Sequence, residues 1–199
     1  AIETITRFRA HPKNRSTNHA SSLLGRRGTP AQFRAPGIEL TVERILQETG
    51  VDPSAIELEL TETSVIDHTQ TALDSLHRLC ALGVTLSLDD FGTGYSSLSY
   101  VRRLPVSKLK IDQSFIHNLV TNRSDRSIVE GIIQLCHKLQ LTVVAEGVET
   151  AEQHKLLREM GCDAIQGRLF SPPVPASAFA ARFLEGRPPA QVIALSNRR

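Results

Sequence analysis

Five short runs of this chain alternate apolar and polar side chains, and a helical run follows each. The strand candidates are 55–62 (AIELELTE), 84–90 (VTLSLDD), 108–115 (KLKIDQSF), 142–149 (TVVAEGVE) and 164–170 (AIQGRLF). A helix is predicted over 38–49, with Gly50 as its stop. Others are predicted over 67–82, 96–103, 124–139, 150–160 and 175–185. Leu73, Leu76, Leu79 and Cys80 form an apolar stripe on the second of these, and Ile128, Ile132, Cys136 and Leu139 on the fourth. Asp67 with Gln70, and Thr150 with Gln153, have capping-box spacing at two helix starts. Such alternation predicts a parallel sheet with right-handed crossovers.

The faces of the strands narrow this further. Successive side chains of a strand point to opposite sides. Ile56, Leu58 and Leu60 therefore oppose Glu57, Glu59 and Thr61, and Val84, Leu86 and Leu88 oppose Thr85, Ser87 and Asp89. Leu109 and Ile111 oppose Lys108, Lys110 and Asp112. An open doubly wound sheet is covered by helices on both faces and reads apolar on both. One apolar and one polar face fits a (β/α) barrel of the TIM type. Its outside packs on helices, and its inside carries chemistry at the C-terminal ends of the strands.

The polar residues at those ends are Glu59, Asp89, Asp90, Lys110, Asp112, Glu146, Glu149 and Gln166. Taken singly, each reads most simply as a strand-end cap or loop charge. Converging carboxylates cannot all stay ionised without cations. Lys110 supplies one positive charge, and a divalent metal would supply more. Oxygen donors without Cys or His favour Mg²⁺ or Mn²⁺. Adjacent Asp89 and Asp90 suit a pair of ions, with Asp89 bridging and Asp90 turning in at the strand end. A two-metal site of that kind activates water for attack on a phosphate ester.

The totals exclude other classes. The chain has 199 residues, 40% of them apolar, which suits one domain with a sizeable core. No apolar run is long enough to span a membrane, and the N-terminal stretch lacks the apolar core of a signal peptide, so a cytoplasmic protein without membrane contact is expected. Cys80, Cys136 and Cys162 sit in apolar patterns and read as reduced core thiols. Basic residues gather in 1–36 (Arg7, Arg9, Lys13, Arg15, Arg26, Arg27 and Arg34), but no aromatic interleaving accompanies them, and no nucleic-acid partner is expected.

Five motifs in order complete the reading: ELELTET (57–63), SLDDFGTGYSSL (87–98), LKIDQSFI (109–116), VVAEGVET (143–150) and GCDAIQGRLFSPPVP (161–175). In content and spacing they resemble the EAL-domain family, the cyclic di-GMP phosphodiesterases that use Mg²⁺ or Mn²⁺ to open one phosphodiester and release linear pGpG. The resemblance implies metal-ligand roles for Glu59, Asp89, Asp90 and Glu146, with Asp89 as the bridge. It implies that Lys110 orients the attacking water, that Glu149 belongs to the water network and that Gln166 lies near the substrate. Asp112 is expected in a supporting position. Glu62 is expected to anchor the loop 91–97, where Gly92 and Gly94 give backbone freedom.

The chain also departs from the family pattern. No Glu-Ala-Leu run occurs in it, and the position expected for a second-strand Asn ligand falls on Arg27, in GRRGTPAQF. An arginine cannot ligate a metal. Arg168 stands where many relatives carry an aromatic residue. The expectation is a basic, non-family-like segment over 1–28, a partial domain over 29–187 lacking its first one or two strands, and a tail over 188–199. An incomplete barrel is expected to pair with a second copy, as a homodimer or by swapping strands, or else to be marginally stable. At most one well-formed metal site and weak or absent hydrolysis are expected. The rival readings are a non-catalytic module that binds cyclic di-GMP or a protein partner, and a different metal-dependent barrel enzyme such as an enolase-like lyase.

Overall fold

A computed structural model of the chain describes residues 24–27, 37–61, 70–92, 101–172 and 174. The chain order is β1 (Leu24–Arg27), α1 (Ile38–Thr49), β2 (Ile56–Thr61), α2 (Gln70–Ala81), β3 (Thr85–Phe91), β4 (Lys108–Ile111), α3 (Gln113–His117), α4 (Arg123–Lys138), β5 (Thr142–Ala145), α5 (Ala151–Glu159) and β6 (Ala164–Ile165). The six strands form one sheet in sequential order, and every neighbouring pair is parallel. Among the described residues the sheet stays open between β6 and β1. Among these residues it is the TIM-type architecture, incomplete as a barrel.

Residues 24–27 were expected to lie ahead of the domain. They instead join the sheet as its first strand, with Arg27 beside Glu59 in the register. Their run is too short and irregular to show a period. Three other strands are shorter than the sequence suggests. The run 108–115 divides at Asp112, which caps α3 through a hydrogen bond from Ser114 N to its Oδ1 at 2.9 Å. β5 ends at Ala145 and β6 at Ile165, and rim loops follow both. The helix candidates at 96–103 and 175–185, and the Asp67 cap, fall mostly or wholly outside the described residues.

The core lies between the outer strand face and the helices. Leu58 and Leu60 of β2, Leu86 and Leu88 of β3, Leu109 and Ile111 of β4, and Val143 and Ala145 of β5 pack with Leu73, Leu76 and Leu79 of α2. From α4 the contributors are Val129, Ile132, Ile133 and Cys136. The spacing i, i+3, i+4, i+7 has displaced the i, i+4 stripe read from the sequence, and Ile128 is 41% exposed. Burying these side chains removes water from about 1.5–3 kcal/mol worth of apolar surface apiece. The opposite strand face is polar and equally enclosed: Glu57, Glu59, Ser87, Asp89 and Lys110 are all buried.

Candidate active site

Regular pleating would send Asp89 and Asp90 to opposite faces of β3. The sheet solves this with a bulge. Leu88 pairs with Leu109 and Phe91 with Ile111, so two residues of β3 oppose Lys110 alone. Asp90 takes a left-handed conformation, φ 55°, which aspartate tolerates better than most side chains. Both carboxylates thus serve the inner face, while Leu88 and Phe91 both stay in the core. Asp89, Asp90 and Glu146 each offer an oxygen, and these lie within 4.8 Å of one another.

Lys110 stands under this group. Its Nζ lies 2.8 Å from Glu59 Oε1, 2.8 Å from Asp89 Oδ1 and 2.5 Å from Glu146 Oε1. Burial alone would drive a lysine toward its neutral form. The carboxylates of Glu146, Glu59 and Asp89 outweigh that and hold Lys110 well above the ordinary lysine range. Lys110 is therefore a fixed cation and hydrogen-bond donor, not a base. Glu146 shifts the other way from an ordinary ion-paired acid. Burial raises its pKa, Asp89 and Glu59 add to the rise, and Lys110 only partly offsets it.

Two residues toward the strand starts lies a second ionic layer that the sequence reading left without a role. Lys108 Nζ reaches Glu57 Oε2 at 2.5 Å, with both side chains largely buried. The signal was present in the alternation, since Glu57 and Lys108 share the polar face with Glu59 and Lys110.

The remaining candidates lie at the rim. Glu149 is half-exposed at the start of α5, beside a complete capping box of Thr150 and Gln153. Gln166 follows β6; its Oε1 is buried, with no hydrogen-bond partner among the described residues. Asp112 is engaged as the cap of α3 and is not one of the clustered oxygens. Gly92 has φ 102°, and a Cβ there would lie 2.6 Å from the Phe115 ring, so the loop after the aspartates leaves the strand by a path suited to glycine. Glu62, Gly94 and the rest of that loop lie outside the described residues.

Parallel strands, a bulged aspartate pair and a buried lysine under carboxylates agree with a match of the EAL domain family model to residues 2–173. The chain belongs to the EAL domain family. That match begins ahead of Thr29, where the motif resemblance starts. The cyclic di-GMP phosphodiesterase NbdA of Pseudomonas aeruginosa is 47% identical over 137 residues, covering 69% of this chain and 18% of NbdA. The solved phosphodiesterase of MucR, from the same organism and in complex with c-di-GMP, is 41% identical with a TM-score of 0.75, covering 79% of this chain and 64% of that one. The manganese and cyclic di-GMP complex of Klebsiella pneumoniae BlrP1 is 33% identical with a TM-score of 0.71, covering 77% of this chain and 39% of that one. The EAL chain spans about a fifth of the length of the curated relatives it matches. No helix among its described residues is long and apolar enough to cross a membrane.

Proposed function

We propose that this EAL chain hydrolyses cyclic di-GMP to pGpG with divalent metal, at a rate at least about a hundredfold below that of a domain with all its metal ligands, the scale for losing one electrostatic stabiliser. The observation that carries the reading is the bulge that puts Asp89, Asp90 and Glu146 within 4.8 Å of one another. The donor set fits a divalent cation: hard oxygen ligands, and more carboxylates than the single Lys110 ammonium can neutralise. Asp89, Asp90 and Glu146 would hold one Mg²⁺ or Mn²⁺, and Glu59 with Asp89 would contribute to a second. Such metals lower the pKa of bound water and neutralise charge on the phosphate.

The chain's own groups do the rest. Lys110, unable to lose its proton near neutral pH, would orient the attacking water by donating to it once metal draws one of its three carboxylates, Glu59, Asp89 or Glu146, away and frees an N–H. Glu149 orders the water network at the rim. Gln166, whose buried acceptor oxygen has no partner among the described residues, would lie near the dinucleotide. Arg27 supports the weakened rate: it holds the register position beside Glu59, where the resemblance calls for an Asn ligand.

Purified protein incubated with cyclic di-GMP and Mn²⁺ should release pGpG slowly, and Arg27→Asn should raise the rate. Turnover equal to that of an EAL domain carrying all its metal ligands would refute the impairment. Tight binding of cyclic di-GMP with no pGpG would favour the non-catalytic module.

A further inference from the structure

Arg168 is the feature at the rim that the reaction just described leaves unused. Its Nη1 lies 3.5 Å from Glu149 Oε1, and its side chain is 74% exposed. The backbone beneath it is firmly placed. Gln166 N donates to Ala145 O at 2.8 Å, Val148 N to Gln166 O at 3.0 Å, and Leu169 N to Val148 O at 3.0 Å. Gly167 touches the same loop so closely that a Cβ would sit 2.1 Å from Val148 O. Arg168 is therefore held on the loop that carries both Glu146 and Glu149.

An anionic dinucleotide approaching this rim meets the carboxylates of Asp90, Glu146 and Glu149, with Glu59 and Asp89 buried behind them. Lys110 cannot greet it, being buried and engaged by three carboxylates. Arg168 can. An exposed, single-contact ion pair such as Arg168–Glu149 contributes little and is readily exchanged. The guanidinium fork, by contrast, matches two oxygens of a phosphate.

We infer that Arg168 is a phosphate-recognition residue of this site: its guanidinium rests on Glu149 in the free protein and transfers to a phosphodiester oxygen pair of the bound dinucleotide. The inference rests on the cyclic di-GMP reading above. Arg168 acts in binding and takes no proton. Its departure also frees the Glu149 carboxylate for the water network, so that substrate capture and assembly of the site are one event.

The test is a double-mutant cycle read by calorimetry on Mn²⁺-loaded protein, with cyclic di-GMP and pGpG as probes. Arg168→Ala should weaken both ligands about tenfold, the scale of one charge-assisted contact, and leave Mn²⁺ affinity unchanged. The loss should shrink as salt rises. Glu149→Gln should tighten binding severalfold while turnover falls, and this tightening should vanish when Arg168 is also Ala. Unaltered affinity in Arg168→Ala, or equal tightening by Glu149→Gln in both backgrounds, would overturn the inference and leave the parent reading standing. Wild-type protein that binds neither ligand would overturn the parent reading, and the inference with it.

Discussion

Glu146 carries a charge it can hold only with help. Its pKa is raised by burial first, then by Asp89 and Glu59, with Lys110 pulling the other way. In the metal-free chain its carboxyl keeps a proton above the pH at which an ordinary glutamate loses it. A metal held by Glu146, as proposed above, would have to displace that proton. Mn²⁺ affinity should therefore rise with pH through the raised range of Glu146 and level off above it. Metal-free stability has the opposite slope. The unfolded chain ionises first, so stability falls as pH climbs from the ordinary glutamate value to the raised one. Calorimetric Mn²⁺ titrations across pH 4–8, together with thermal melts of the apo-protein, should show both trends; Glu146→Gln should flatten both. A pH-independent Mn²⁺ affinity would show that Glu146 is not a ligand.

At the same scale, residue identity was more legible than residue posture. Asp89, Glu59 and Lys110 were assigned to one face by alternation alone, and that face holds them. Asp112 shared the alternation of Lys110 but was drawn off by a local contact, the orphan N–H of Ser114 at a helix start, which outcompetes any distant partner. The Glu57–Lys108 pair was visible as two polar residues on the right face, yet nothing in the sequence shows that their charges meet in a buried layer.

Among elements, the two loops that close over the end of β5 depend on a missing side chain. A Cβ at Gly167 would lie 2.1–2.7 Å from three backbone atoms of Val148, and backbone cannot swing aside as a side chain can. Gly167→Ala should cost about 1–3 kcal/mol, as overpacking does, read as a lower unfolding midpoint in urea. It should also weaken Mn²⁺, because the displaced loop carries Glu146. A variant as stable as wild type would show that the loops part without cost. Helix spans were read well because amphipathic period and capping residues act over short distances; 38–49 was read to the residue. Strand ends were read poorly. β5 and β6 stop where the rim loops hydrogen-bond to each other, a tertiary event with no local sequence signature.

The described residues form a parallel sheet with one apolar and one charged face, both buried. Desolvated carboxylates in excess of their ammonium partner oppose folding until a cation joins them. Mn²⁺ at about a hundred times its Kd should add about 2.7 kcal/mol, or roughly 5–10 °C in Tm for a chain of this size. Differential scanning calorimetry should show the rise in wild type and none in Asp89→Asn. A metal-independent Tm would mean that the cluster is satisfied without an ion. The sheet class followed from the sequence because alternation of strands and helices constrains topology strongly. The first strand did not follow: four residues at Leu24–Arg27 are recognisable only through the neighbour they pair with.

The bulge in β3 has a consequence for how folding and chemistry are separated along the chain. Leu88 and Phe91 both face the core, and the register with β2 ends at Asp89, before the extra residue. Removing Asp90 outright would leave Asp89 alone opposite Lys110 and Phe91 still opposite Ile111, an ordinary ladder with its apolar side undisturbed. The left-handed residue would vanish with it. A single-residue deletion in a central strand is normally ruinous, because it turns every later side chain to the wrong face. Here it should restore the pattern, giving a chain that unfolds as cooperatively as wild type and binds Mn²⁺ more weakly, with one carboxylate fewer in the cluster. On the metal reading proposed above, Asp90 is a residue the sheet can spare, its place in the strand costing regular pleating and giving the cluster one more oxygen.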